Sequence, residues 1–134
     1  MVILSCKTNS NDNQTDTSNE NKQAKLYQEV ISGHDEVMPK LQDISALMEK
    51  LETKIGELEK VAGSEESLAE LRNQMEALDN ADELMMNWMR NFTAKYDGWE
   101  EDRIIKYLEE EKEKIKEVGI EVNQSIERAR ELLN

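Results

Sequence analysis

The sequence has very few of the residues that build cross-linked or aromatic-rich domains. Its 134 residues include one cysteine, one histidine and one proline, and only 4% are aromatic. A single cysteine excludes an internal disulfide framework and any cysteine-cluster metal site. So few aromatic residues argue against a broad globular core. The length is typical of one domain.

Catalytic motifs are also missing from the sequence. It contains no glycine-rich phosphate loop, no GxSxG and no HExxH. Paired carboxylates are abundant, but on exposed helix faces they titrate normally and form no cleft. We therefore expect no catalytic residues, and we predict that the protein is not an enzyme.

Acidic residues are what the sequence has most of. There are 30 Asp and Glu against 17 Lys and Arg, which gives a net charge of −13. Such a chain repels phosphate backbones, so we expect no nucleic-acid partner. The simplest explanation of the acidity is solvated helix faces. Charged residues make up 35% of the chain, with Glu, Lys and Leu prominent after residue 20, and this mixture favours long helices with narrow apolar seams.

The first residues, MVILSC, end in the only cysteine. Ile3-Leu4-Ser5-Cys6 resembles the bacterial lipobox, in which the cysteine thiol is acylated and becomes the new N-terminus. A complete leader needs a basic segment and roughly 7–15 apolar residues, so we interpret residues 1–5 as a signal-peptide remnant. The motif predicts a lipid anchor at Cys6 and a bacterial envelope protein that faces the periplasm or the cell surface. The alternative is a stray cysteine in a frayed terminus.

A polar stretch follows the cysteine. Residues 8–23 contain no apolar side chain, so they bury too little surface to offset the entropy of ordering. We predict a disordered tether over residues 6–19, with the bundle at 20–134. At ~3.5 Å per residue, residues 8–23 extend at most roughly 55 Å.

Apolar residues then recur in alternating steps of three and four from Tyr27 to Ala62, as in a coiled-coil seam. Similar seams follow two turn signals at Gly63 and Gly98. We predict helices at about 20–62, 64–96 and 99–133. Short turns make neighbours antiparallel, so the expected fold is all-α, an elongated antiparallel three-helix bundle with a disordered N-terminal tether.

The third seam is weaker than the other two, because Glu111 and Ser125 occupy seam positions. This weakness leaves a rival open: a helical hairpin that completes its core by dimerising.

The segment GHDEVMP holds the only histidine and the only proline. Pro39 removes a helical hydrogen bond and costs about 3 kcal/mol in a helix interior. We predict a kink between Gly33 and Pro39 without a full break, because the seam continues through it; a break would create a fourth helix. His34 lies on the seam and should point inward, with Asp35 or Asp102 as its hydrogen-bond partner.

Counting back from the first turn places His34 and Met38 level with Met85, Trp88 and Met89. Imidazole with thioethers forms a ligand set that prefers Cu(I). The candidate metal ligands are His34, Met38, Met85 and Met89, with Trp88 placed for a cation–π contact. A His/Met pair is also an axial ligand set for haem. The plainest alternative is packing, since methionine fills irregular cores, and we expect no cofactor in that case.

ILSCK, the polar tether, HDEVMPK and MMNWMRNF together resemble small helical lipoproteins of Bacteroidota, some of which are labelled viral A-type inclusion protein. The resemblance covers most of the chain and implies an exported, lipid-anchored protein. It supplies no established activity, so no functional residues carry over.

Together these features predict a protein that acts by binding or scaffolding. Its expected partners are the membrane, through the lipid on Cys6, and either another protein or a second copy of itself. Soft-metal or haem binding through His34 and the methionines is the alternative.

Overall fold

The computed structural model describes residues 13–134, with side chains from residue 17 onward. Within that range the chain forms four α-helices and no strand. Cys6 and residues 1–5 lie outside the described residues. The helices are α1 (Asn13–Val37), α2 (Lys40–Leu58), α3 (Glu65–Asn91) and α4 (Glu101–Leu133).

The first helix begins at Asn13, seven residues before the predicted start at residue 20. Part of the stretch expected to be tether is therefore helical. Interactions with α4 help to explain this, because Asn19 Nδ2 donates to Glu101 Oε2 at 3.2 Å. Lys22 Nζ also lies 3.1 Å from Glu109 Oε1.

The long first helix of the prediction is interrupted at Met38 and Pro39, so α1 and α2 replace it. The chain nevertheless keeps its direction. Pro39 has helical dihedral angles (φ −61°, ψ −27°), and the N–H groups of Leu41 and Gln42 donate to carbonyls three residues earlier at 3.2 and 3.3 Å. The proline therefore tightens one turn locally, and the two helices form one kinked rod.

Three rods pack side by side, which confirms the predicted bundle. α1 and α2 run parallel to α4: Asn19 bonds to Glu101 at one end, and Lys54 Nζ donates to the Leu132 carbonyl at 2.6 Å at the other. α3 runs in the opposite direction. α4 packs against all three other helices, and α1 packs mainly against α4.

The two turns are where the glycines predicted them. Gly63 and Gly98 have φ values of +82° and +77°, in a backbone region that residues with a Cβ rarely adopt. α2 and α3 end before the predicted boundaries, at Leu58 and Asn91. The connection over residues 92–100 is irregular and carries several aromatic side chains.

The core follows the predicted seams closely. It also includes two residues that each precede a seam residue: Leu26 before Tyr27, and Leu47 before Met48. The most deeply buried large side chains are Val30, Ile44, Leu51, Leu78, Met85, Leu108, Ile115 and Val122.

No helix in the described part of the chain combines the length and the hydrophobicity that a membrane span needs.

The two polar residues of the third seam are both buried and both hydrogen-bonded. Gln74 Nε2 donates to the Ser125 carbonyl at 2.8 Å, and Trp88 Nε1 donates to Glu111 Oε2 at 2.9 Å. Each bond joins α3 to α4. The Ser125 hydroxyl also donates to the Ala77 carbonyl of α3, at 3.4 Å. The two polar side chains that weaken the apolar pattern of α4 therefore each form a hydrogen bond to α3.

Two glycines let α1 and α4 approach closely. A Cβ on Gly33 would lie 2.9 Å from Cγ2 of Ile115, and a Cβ on Gly119 would lie 3.3 Å from Cγ2 of Val37. In each of the two helices, one branched side chain therefore packs against a glycine of the other helix. We call these two contacts the glycine interlocks.

Candidate functional site

His34 and Trp88 are neighbours, as counting along the helices predicts. Their ring centroids are 6.1 Å apart, with an angle of 39° between the planes. The His34 side chain is 28% exposed, so it lies at the edge of the bundle and does not point fully inward. Its Nδ1 is 3.0 Å from Asp35 Oδ1. Of the two carboxylates predicted as partners, Asp35 is the one beside the ring.

The predicted thioether ligands lie at different depths. Met85 is fully buried in the core, and Met89 is half-buried against it. Met38 is 36% exposed, because it occupies the turn before Pro39 and not a continuous helical face. Among the side chains of residues 17–134, no group of three or more His, Cys, Asp or Glu is placed to hold a metal ion. The soft-metal site stays a prediction.

Trp88 is the most connected of these residues. Its ring stacks on Phe92, with centroids 5.0 Å apart and planes 18° apart. Its N–H donates to Glu111 Oε2, and the other oxygen of that carboxylate accepts a bond from Lys114 Nζ at 2.8 Å. The sequence alone did not predict this network. The signal that could have indicated it was Glu111, a carboxylate at a seam position of α4 at the same level of the bundle as Trp88.

All six Phe, Trp and Tyr residues of the chain belong to one aromatic cluster at the end of the bundle where α1 begins. It covers the 92–100 connection, with Trp99 and Tyr107 edge to face at 5.3 Å. Arg103 lies over the Trp99 ring at 4.0 Å, a cation–π geometry. The six residues are Tyr27, Trp88, Phe92, Tyr96, Trp99 and Tyr107.

Two tyrosines of this cluster differ in their hydrogen bonds. The Tyr107 hydroxyl accepts a bond from the Thr93 backbone N–H at 2.9 Å. The Tyr96 hydroxyl is buried and has no hydrogen-bond partner among residues 17–134. A buried polar atom without a partner is destabilising because it has lost its bonds to water.

Replacing each tyrosine by phenylalanine should therefore have opposite effects. We expect Tyr96→Phe to raise the free energy of unfolding by about 1 kcal/mol and Tyr107→Phe to lower it by about 1 kcal/mol. Urea denaturation at pH 7 followed by circular dichroism measures both. Two changes of the same sign would contradict the difference in hydrogen bonding.

The same tyrosines make the bundle sensitive to alkaline pH. Burial raises the pKa of both Tyr96 and Tyr107 above the ordinary value of 10.0. The unfolded chain keeps the ordinary pKa, so it loses these protons first as the pH rises. The contribution of both groups to the free energy of unfolding is thus constant below about pH 10 and falls as the pH rises through the folded-state pKa values. Urea midpoints should fall above about pH 10, and they should fall less in the Tyr96→Phe/Tyr107→Phe variant. An equal fall in that variant would argue against this origin.

A shallow groove of about 410 Å³ runs between α3 and α4. Its apolar lining comes from Leu84, Trp88, Val118 and Ile120. Leu84 and Ile120 are 43% and 46% exposed. Its polar lining comes from Lys114, Glu117 and Glu121. We call it the α3–α4 groove.

A second groove, of about 400 Å³, lies between α1 and α4. Ile120 is the only one of the exposed large apolar side chains of residues 17–134 that borders it, whereas Leu84 and Ile120 both line the α3–α4 groove. The ion pair between Lys112 Nζ and Glu29 Oε2, at 2.9 Å, joins two of its lining residues. The α3–α4 groove is therefore the better candidate for binding an apolar surface.

The fold and the exposed groove define the class of the molecule: an elongated all-α bundle of three rods with an apolar surface groove. Comparisons with protein-family models, curated proteins and solved structures found no match to this chain.

Proposed function

We propose that the chain is a lipid-anchored bacterial envelope protein that acts by binding or scaffolding another protein, with no chemistry of its own. The observation that carries the binding role is the α3–α4 groove. Leu84 and Ile120 expose large apolar surfaces on either side of it. Apolar side chains gathered at a groove are typical of interaction sites, whereas single scattered ones are not.

The position of the groove suits an anchored protein. Because α1 begins at Asn13, an acyl chain on Cys6 would hold the start of the bundle within about 25 Å of the membrane. Val118 and Ile120 line the groove, and Gly119 between them packs against Val37. Val37 is 24 residues further along the rod than Asn13. At 1.5 Å per residue, the groove lies about 35 Å from the start of α1. The rod would thus present the groove away from the lipid surface.

Metabolic labelling with palmitate tests the anchor. We expect the wild-type protein, expressed with its upstream gene sequence, to incorporate the label and to fractionate with membranes. Cys6→Ala should abolish both, while Ser5→Ala is the matched control that keeps the cysteine. Equal labelling of Cys6→Ala and wild type would remove the anchor.

Photo-crosslinking in living cells tests binding. A photoreactive amino acid at Ile120 should give a discrete protein adduct. The same group at Val61 should give none, although Val61 is also exposed (56%) and lies outside the α3–α4 groove. No adduct at Ile120, or an identical one at Val61, would refute a binding role for the groove. An adduct of twice the chain mass would indicate self-association.

Soft-metal binding is the second candidate function. His34 and Met38 lie one helical turn apart and both reach the surface, and the His34 ring lies beside the Trp88 ring. A competition titration of Cu(I) against a chelator should show uptake by the wild type and its loss in His34→Ala. Met75→Leu is a control outside the predicted ligand set. No uptake beyond the competitor would remove Cu(I), and the absence of a His34-dependent Soret shift with haemin would remove haem.

A further inference from the structure

We infer that the α3–α4 groove binds a basic amphipathic helix of a partner protein. The inference rests on the proposed binding function and specifies the chemistry of the partner. Two features of the described residues carry it: the apolar lining of the groove and the unpaired carboxylates beside it.

The apolar lining favours a helical partner. α3 and α4 lie side by side and antiparallel, so the groove between them is elongated along their axes. An amphipathic helix inserts apolar side chains into such a groove at positions i, i+3, i+4 and i+7. Leu84 on α3 and Ile120 on α4 would contact the two sides of that apolar stripe, with Val118 and Trp88 beside them.

The charges specify that the partner is basic. Glu117 and Glu121 line the groove one helical turn apart, and neither belongs to an ion pair among residues 17–134. Lys114, the cation of the lining, is already paired with Glu111 at 2.8 Å. A helix with lysines or arginines beside its apolar stripe would supply the missing positive charge.

The net charge argues against a second copy as the occupant. The chain carries −13, so two copies repel each other, whereas a basic helix is attracted. Complementary charge raises the rate of encounter and selects among partners that share an apolar stripe.

The experiment uses a designed peptide as the probe. A fluorescent helix of about 18 residues, with a leucine stripe flanked by lysines, is titrated with the protein by fluorescence anisotropy. We expect saturable binding. Leu84→Asp/Ile120→Asp should weaken it at least about tenfold. Val61→Asp, the matched change at an exposed apolar residue outside the groove, should alter it less than about twofold.

A second pair of variants isolates the local charge. Glu117→Lys/Glu121→Lys should weaken peptide binding about tenfold. Glu66→Lys/Glu70→Lys makes the same change in net charge, with the same spacing, at the far end of α3, and should cost less than about threefold. A peptide with glutamates in place of the lysines should not bind.

Each contrary outcome overturns the inference. No binding by the wild type does so, and so does equal weakening by both charge pairs, which would show non-specific attraction. Sedimentation that finds a dimer abolished by Ile120→Asp would assign the groove to a second copy. A crosslink at Ile120 in cells without peptide binding would refute only the partner's chemistry, and loss of that crosslink would refute the proposed function itself.

Discussion

Replacing Trp88 by alanine should lower the free energy of unfolding by about 3–5 kcal/mol, as for other buried aromatic residues. The ring is almost fully buried and stacks on Phe92 with centroids 5.0 Å apart. Its removal leaves a cavity and takes the indole donor from the Glu111 carboxylate. Because domains of this size are stable by only about 5–15 kcal/mol, the variant should be close to unfolding.

Urea denaturation followed by circular dichroism measures this loss. Trp88→Phe is the informative companion, because it keeps an aromatic ring but removes the N–H group. Its expected cost is about 1–3 kcal/mol, the usual range for a buried acceptor left without its donor. A loss under about 1 kcal/mol for Trp88→Ala would contradict the central position of this ring.

The second large effect concerns the glycine interlocks. We expect Gly33→Ala to lower the free energy of unfolding by about 1–3 kcal/mol, since the added methyl group overpacks the interface. Its Cβ would lie 2.9 Å from Ile115 Cγ2. Cγ2 is bonded directly to the branched Cβ of a buried isoleucine, so it has little freedom to move away.

Gly56→Ala is the matched control, because Gly56 is also inside a helix but has no atom within 4 Å of an added Cβ. We expect it to raise the free energy of unfolding by about 0.5–1 kcal/mol, as alanine does in helix interiors. Combining Gly33→Ala with Ile115→Ala should cost less than the sum of the two single changes, because the truncated side chain makes room. Stabilisation by Gly33→Ala would show that α1 and α4 are less closely packed.

The bundle was predictable because its signal is periodic and local. Steps of three and four residues place Val30, Leu51 and Leu78 on inward faces, and all three are buried. The turns were predictable from single residues, Gly63 and Gly98, whose positive φ values favour glycine.

The polar cross-links were not predictable from the same pattern. Within α4, a carboxylate at Glu111 and a hydroxyl at Ser125 only interrupt an apolar seam. The donor to the carboxylate, Trp88, and the acceptor of the hydroxyl, the Ala77 carbonyl, are both on another helix. The early start of α1 has a similar cause, since the composition of residues 13–19 favours disorder while the hydrogen bond from Asn19 to Glu101 on α4 favours helix.

The position of the candidate site along the bundle axis was predicted, but the burial of its side chains was not. Counting residues places His34 beside Trp88, because helical rise is constant. It does not give the conformation of the chain where the helix is interrupted before Pro39, and Met38, in that interruption, is 36% exposed. The α3–α4 groove went unnoticed because Leu84 and Ile120 lie outside the buried seams.

The parallel course of α1 and α4 has a mechanical consequence. Asn13 and Asn134 lie at opposite ends of the bundle, so a pull applied between these two residues acts along the helix axes. Such a pull would slide α1 past α4 in shear, and both glycine interlocks, Ile115 against Gly33 and Val37 against Gly119, would resist the sliding at once. A pull that peeled the helices apart would instead break these contacts one after the other.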